Sequence, residues 1–355
     1  MTSINQTLVL ASGYSTADQP GLQVFVFNEA SGELTLSGSY TGINAPSFLF
    51  LHSNKKWLYA VSETGLSSHN VLGEVWAFQF EREACVIKPI NRRTSRGDWP
   101  CHLQLDRTGN WLITTNYGSG NAALYPILQD GSLAEMTDFI QHEGKGPNTA
   151  RQEGPHAHSS IFTPDNRFVI IADLGIDQLI FYKFDATIGK LELHSTVSAQ
   201  PGAGPRHLVF HPNDKWFYAA NELASTVTFY KYDEVDGKLI EKQTFPTIPS
   251  DAPENIVADI HISGNGKRLY VSNRGHNSIA AFDIDDKGNL SLVSISSCGG
   301  NWPRNFALSP NGQFMLVANQ YSNEICVLPI LDGKEALGTP VTRVSMIGAS
   351  CVQFV

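Results

Sequence analysis

The chain has little that would bind nucleic acid, cross a membrane or staple itself covalently. Among 355 residues, Lys and Arg number 25 against 34 Asp and Glu, giving a formal net charge of −9 and an isoelectric point near 5.6. The basic residues form no tract, so the positive footprint that a phosphate backbone requires is missing. No charged segment followed by an apolar core stands near the first residue, and no apolar run is long enough to span a bilayer. The five cysteines, Cys85, Cys101, Cys298, Cys326 and Cys351, are scattered, without CxxC or Cys/His metal spacing. That pattern excludes a disulfide scaffold and leads to the expectation of a reduced, cytoplasmic protein. Helix-period segments are scarce too. Instead, 30 Gly and 18 Pro punctuate many short apolar runs, as an all-β chain requires.

What the chain does have is a repeat. A Pro or small residue leads into a short apolar strand and a polar turn, and a second apolar strand follows that ends in a polar pair. Gly204-Pro205-Arg206-His207-Leu208-Val209-Phe210-His211-Pro212-Asn213, then Phe217-Tyr218-Ala219-Ala220-Asn221-Glu222, is the clearest copy. The polar pair recurs as Ser12-Gly13, Ser62-Glu63, Asn116-Tyr117, Asp173-Leu174, Asn221-Glu222, Asn273-Arg274 and Asn319-Gln320, 46 to 57 residues apart. A third strand and, after an Asp/Gly/Lys turn, a fourth complete most units. A four-stranded unit at this period predicts an all-β fold, a seven-bladed β-propeller forming one domain over residues 1–355. The first unit lacks its opening strand, and Ala349-Ser350-Cys351-Val352-Gln353-Phe354 resembles the missing piece. The C-terminal strand is therefore expected to join the N-terminal blade and close the ring, which leaves no open edge. Residues 141–153, with Gly144, Gly146 and Pro147, read as a long surface loop.

In a propeller the innermost strand leaves one rim of the central channel and the second strand returns to it. Aligning the copies puts Ser47, Cys101, His158, Arg206, Ala258, Arg304 and Ser350 at that rim. Phe48, His102, Ser159, His207, Asp259, Asn305 and Cys351 come next. The returning strands add Glu63, Asp173, Glu222, Asn273 and Arg274. Converging titratable groups in a concavity mark a candidate site. Asn116, Asp173, Asn221, Asn273 and Asn319 occupy a repeated position and read mainly as loop-bonding residues. His52, His211 and His261 lie past the rim as turn or packing residues, and His69, His142 and His194 read as loop histidines. Glu222, Arg206, Arg274 and His158 break the internal symmetry, which the fold alone does not explain.

The segments Pro155-His156-Ala157-His158-Ser159-Ser160-Ile161-Phe162, Gly204-Pro205-Arg206-His207, Asn221-Glu222-Leu223 and Ser272-Asn273-Arg274 resemble, in order and over essentially the whole chain, the seven-bladed propeller lactonases. That family includes propeller-type 6-phosphogluconolactonases and carboxymuconate lactonizing enzymes. The resemblance implies a cofactor-free, metal-independent lactone hydrolase, with a His, a Glu and two Arg at the mouth matching His158, Glu222, Arg206 and Arg274. The expected reaction is hydrolysis of 6-phosphogluconolactone in the pentose phosphate route. The alternatives are a carboxymuconate-type cycloisomerase and a non-enzymatic propeller that binds a partner.

Lactone hydrolysis needs an activated water, oxyanion donors and a proton for the leaving ring oxygen. Glu222 is expected as base with its side chain in open water, Arg206 as oxyanion donor and His158 as acid, with the Glu and His roles exchangeable. Arg274 and Arg304 are expected to hold a phosphate or carboxylate. His207, His102, Asn273 and Glu63 complete the expected substrate contacts. A calcium site using Glu63, Asp173 and Asn221 is conceivable but conflicts with the arginines nearby. The expected partner is an anionic small molecule, with no nucleic acid or membrane and a monomer or weak homo-oligomer.

Overall fold

The computed structural model describes residues 6–66 and 71–355; His69 lies outside them. Their strands form seven four-stranded antiparallel sheets, six of them in chain order and one that takes its innermost strand from the C-terminus. The innermost strands are Leu49–Leu51, Pro100–Leu105, Ala157–Phe162, Pro205–Phe210, Ile256–Ile262, Pro303–Leu308 and Ala349–Phe354. The second strands, which run back to the same rim, are Gln6–Gly13, Trp57–Ser62, Trp111–Asn116, Phe168–Asp173, Trp216–Asn221, Arg268–Arg274 and Phe314–Asn319.

These second strands are apolar on both faces, as in Val169-Ile170-Ile171-Ala172, because each sheet is sandwiched between two neighbours. Outer strands alternate instead. Lys190–Ser198 buries Leu191 and exposes Glu192, since one of its faces meets water. Toward the channel the wedge between sheets narrows, and small residues such as Ala60, Ala172, Ala220 and Ala318 fill it. There is consequently no single central core. Seven apolar clusters lie one at each junction between adjacent sheets, such as Leu10 and Leu22 against Leu58 and Phe78.

The repeated polar turn joins first strand to second at the far end of the channel. At 163–166, 211–214 and 309–312 the fourth residue (Asn166, Asp214, Gly312) has φ of 60°, 60° and 71° and donates its N–H to the carbonyl of the first. Asn, Asp and Gly tolerate that left-handed conformation, which is why the turn is written in them.

The ring closes as expected. Val9, Leu10, Ala11 and Ser12 pair with Phe354, Gln353, Val352 and Cys351, so the blade begun by the N-terminal strand takes its innermost strand from the C-terminus. Ser350 Oγ ties this strand to the carbonyls of Ser12 and Ser47, and Gln353 Oε1 accepts the Leu51 N–H. Among the described residues no helix is long and apolar enough to cross a membrane.

Candidate active site

At the rim, the innermost strands carry one residue more than their partners. Pro100 pairs with Asn116 and His102 with Thr115, which leaves Cys101 unopposed. The same slip frees His158 between Ala157 and Ser159, Arg206 between Pro205 and His207, and Arg304 between Pro303 and Asn305. On the closing strand it frees Ser350. Such a bulge bends the strand and re-aims the extra side chain. These five positions of the ring legible in the sequence are therefore bulge positions, and the bulge turns their side chains toward the channel.

Glu222 stands at the centre of the mouth and is only 3% exposed. Its Oε2 accepts from Arg206 Nε at 2.9 Å and Arg274 Nη2 at 2.6 Å, and its Oε1 accepts from Arg151 Nη2 at 2.5 Å. His158 Nε2 lies 3.9 Å from Oε2. Burial by itself would raise the Glu222 carboxyl, but Arg274, Arg206 and Arg151 outweigh it and hold the group at about 2. The expectation of an open, water-facing carboxylate is therefore corrected: three guanidinium groups enclose it. Burial, reinforced by Arg206, His207, Arg304 and Arg274, pushes His158 well below the usual imidazole value, so the ring is neutral. Arg206 also donates Nη1 to Ala258 O at 2.6 Å, and Arg274 donates Nη2 to Val257 O at 3.0 Å.

Across the mouth stands a second group. Tyr14 donates its hydroxyl to Glu63 Oε2 at 2.6 Å, while Arg304 lies 3.9 Å from that oxygen and 5.0 Å above the Tyr14 ring. Cys101 Sγ, between the two groups, lies 3.1 Å from His158 O and 3.7 Å from His158 Nδ1, and burial raises the thiol so that it stays protonated. Trp302 packs 5.6 Å from the Arg274 guanidinium and stacks on Tyr321.

Beneath the mouth, the second predicted ring forms a floor. His207 Nδ1 bonds Asp259 Oδ1 at 2.7 Å, and Asp259 Oδ2 accepts from Asn305 Nδ2 at 2.6 Å and meets His261 Nε2 at 2.9 Å. The His207 ring lies 5.4 Å from that of His102 and 5.5 Å from that of His158. Burial and Arg206 depress His207 to about 4 despite Asp259.

Of the residues expected from sequence, Glu222, His158, Arg206, Arg274, Arg304 and Glu63 meet at the mouth, and His207 and His102 sit one layer below. Asn273 does not join them. It is fully buried, with its amide donating to Thr247 O and Ser278 Oγ and its Oδ1 accepting from Thr247 Oγ1, so it ties the wall instead of facing substrate. His156 is stacked on Tyr117 and bonds its carbonyl, which leaves His158 as the histidine beside Glu222. His142 lies in a loop, as expected, but is buried, 2.6 Å from Asp173. His261, read as packing, reaches the buried Asp259.

Arg151, Tyr14 and Tyr117 were not legible as site residues. Tyr14 and Tyr117 adjoin or belong to the repeated polar pairs, which was a usable signal. Arg151 comes from the long loop, where nothing in the repeat marks it. A cleft of about 870 Å3 also lies at the far end of the channel between His261, Asn311 and Arg268, but Arg268 is already spent on Asp283. Among the described residues no group of three His, Cys, Asp or Glu is placed to hold a metal ion.

Comparison with known proteins agrees with the propeller architecture. A family described as lactonase, 7-bladed beta-propeller, matches residues 8–354. The chain is 36% identical over 313 residues to a 6-phosphogluconolactonase of Formosa agariphila, covering 86% of this chain and 87% of the relative. It is 32% identical to the 6-phosphogluconolactonase of Bacillus subtilis, covering 96% of each. The solved periplasmic gluconolactonase of Pseudomonas aeruginosa superposes with a TM-score of 0.92 at 28% identity, covering 99% of both chains. The chain belongs to the seven-bladed β-propeller lactonase family.

Proposed function

We propose that the protein hydrolyses 6-phosphogluconolactone to 6-phosphogluconate at the channel mouth. The observation that carries this reading is a neutral His158 beside a carboxylate enclosed by arginines. Here four guanidinium groups meet two carboxylates, in a chain whose overall net charge is −9. Such a mouth draws an anionic substrate. The relatives named 6-phosphogluconolactonase supply the chemistry's class.

In this reading the roles expected of Glu222 and His158 are exchanged. The Glu222 carboxylate carries three guanidinium bonds on its two oxygens and is committed to holding those arginines, whereas the neutral imidazole of His158 keeps one ring nitrogen unprotonated and able to take a proton. His158 takes a proton from water as the water oxygen attacks the lactone carbonyl. Arg206 donates to the oxyanion that forms, from a position already fixed by Glu222 and Ala258 O. The resulting imidazolium faces Glu222. Collapse of the tetrahedral intermediate breaks the bond to the ring oxygen, which takes the proton from His158, and the product acid then ionises. Arg274, committed to Glu222 and Val257 O, supports this cluster. Glu63, Tyr14 and Arg304 form the opposite wall and bond the sugar hydroxyls. We place the reaction in the cytoplasm, supported by five free cysteines, all buried.

The test is acid release from 6-phosphogluconolactone by purified protein, read against the spontaneous rate with and without EDTA. Acceleration unaffected by EDTA is expected. A rate no faster than spontaneous opening would end the proposal.

A further inference from the structure

We infer that Arg151, on the loop of residues 141–153, recognises the phosphoryl group of the substrate and so sets preference for phosphorylated over plain lactones. This deepens the lactonase reading and rests on it. The four mouth arginines are unequally free. Arg206 and Arg274 have side chains 2% and 4% exposed and are held from several sides, whereas the Arg151 side chain is 36% exposed. Only its Nη2 is engaged, shared between Glu222 Oε1 and Tyr117 Oη at 2.5 and 3.1 Å. Among the described residues, its Nε and Nη1 bond no protein atom. Each of those two donors can give a charge-assisted hydrogen bond to a phosphate oxygen.

Charge balance separates the two halves of the mouth. Around Glu222, three guanidinium groups face one carboxylate, leaving an excess of two positive charges. Around Glu63, a single guanidinium faces one carboxylate, leaving none. A dianionic phosphate therefore gains most on the Arg151 side. Arg151 and His158 approach opposite oxygens of Glu222, so a ligand spanning that carboxylate reaches both. This revises the expectation that Arg274 and Arg304 hold the phosphate.

The loop is built to hold Arg151 there. At its start, His142 bonds Asp173 at 2.6 Å, and Gln141 Nε2 donates to Ser119 O at 2.9 Å. Next to Arg151, the fully buried Gln152 donates Nε2 to Leu174 O at 2.8 Å and accepts the Asn148 N–H with Oε1 at 3.1 Å. A long surface loop with no function would not need a buried imidazole at its start and a buried amide beside its tip.

The experiment compares kcat/KM on 6-phosphogluconolactone and on glucono-δ-lactone for wild type, Arg151→Met and Arg304→Met, with calorimetry of 6-phosphogluconate binding. Arg151→Met is expected to lower the phosphorylated-to-plain ratio about tenfold to a hundredfold, the loss of one charged hydrogen-bonded pair, chiefly through KM. It should also weaken 6-phosphogluconate binding by a similar factor. Arg304→Met should lower both lactones together. An unchanged ratio in Arg151→Met, or equal 6-phosphogluconate binding by wild type and variant, overturns the assignment. If wild type hydrolyses neither lactone, the lactonase reading fails, while calorimetry still decides for or against Arg151 as a phosphate contact.

Discussion

Three of the roughly four acceptor positions of the Glu222 carboxylate are filled by guanidinium donors, and its charge holds three arginines at close quarters. Glu222→Gln should therefore lower stability as well as turnover. Breaking a buried ion pair by removing one partner costs on the order of 3–5 kcal/mol, and thermal melts beside kcat would register both losses. A variant that melts like wild type and loses only activity would contradict this. The histidines set a pH dependence. His102, His158 and His207 are all depressed by burial below the ordinary value of 6.5, His207 to about 4. The unfolded chain binds their protons at a higher pH than the fold does. Stability they contribute is present above about 6.5 and is lost as pH falls toward 4. His261, raised overall by Asp259 against its burial, works oppositely but is one group against three. Melting temperature should thus drop across that window. Because His158 is neutral at pH 6.5, kcat/KM should stay flat through 6.5 and fall only well below it; a descent beginning at 7 would remove His158 as the base.

Among the elements, the bulge on the innermost strand and the last residue of the second strand act together. The bulge aims Cys101, His158, Arg206 and Arg304 inward, and the adjoining Asn or Asp fastens the loop that crosses the rim. Asp173 shows the second task most fully, accepting from the backbone of His156 and Gly175 and from His142, all while fully buried. Asp173→Ala leaves those donors unpaired, at about 1–3 kcal/mol each. Urea melts should show a loss of several kcal/mol, and the same variant should share the Arg151 phenotype because the loop start is released. Retention of wild-type stability would show that water replaces the carboxylate.

Over the whole molecule, stability is spread among seven junctions, so the ring depends on its last closure. Deleting residues 350–355 strips the Gln6–Gly13 strand of its inner neighbour and exposes paired edges on both sides of the gap. Loss of cooperative unfolding, or aggregation, is expected in melts and light scattering. An unchanged thermal midpoint would mean that the other six junctions suffice.

The architecture could be read from the chain because a propeller writes its topology locally. Each blade repeats the same apolar runs, turn residues and polar pair, so period and closure follow from counting. The mouth ring was readable for the same reason: a bulge at a fixed register puts equivalent positions at one rim, and His158, Arg206, Glu222 and Arg274 break the repeat there. Tertiary structure alone decided what those groups are. Glu222 became an enclosed carboxylate and not a solvated base because guanidinium groups from its own blade, the next blade and a loop converge on it, 16 to 71 residues away in sequence. Asn273 turned into the wall because its amide found closer partners in Thr247 and Ser278. Arg151 reached the mouth only through anchors made by its loop after folding. Charge state and loop placement depend on distances between segments remote in sequence, and no local pattern encodes such distances.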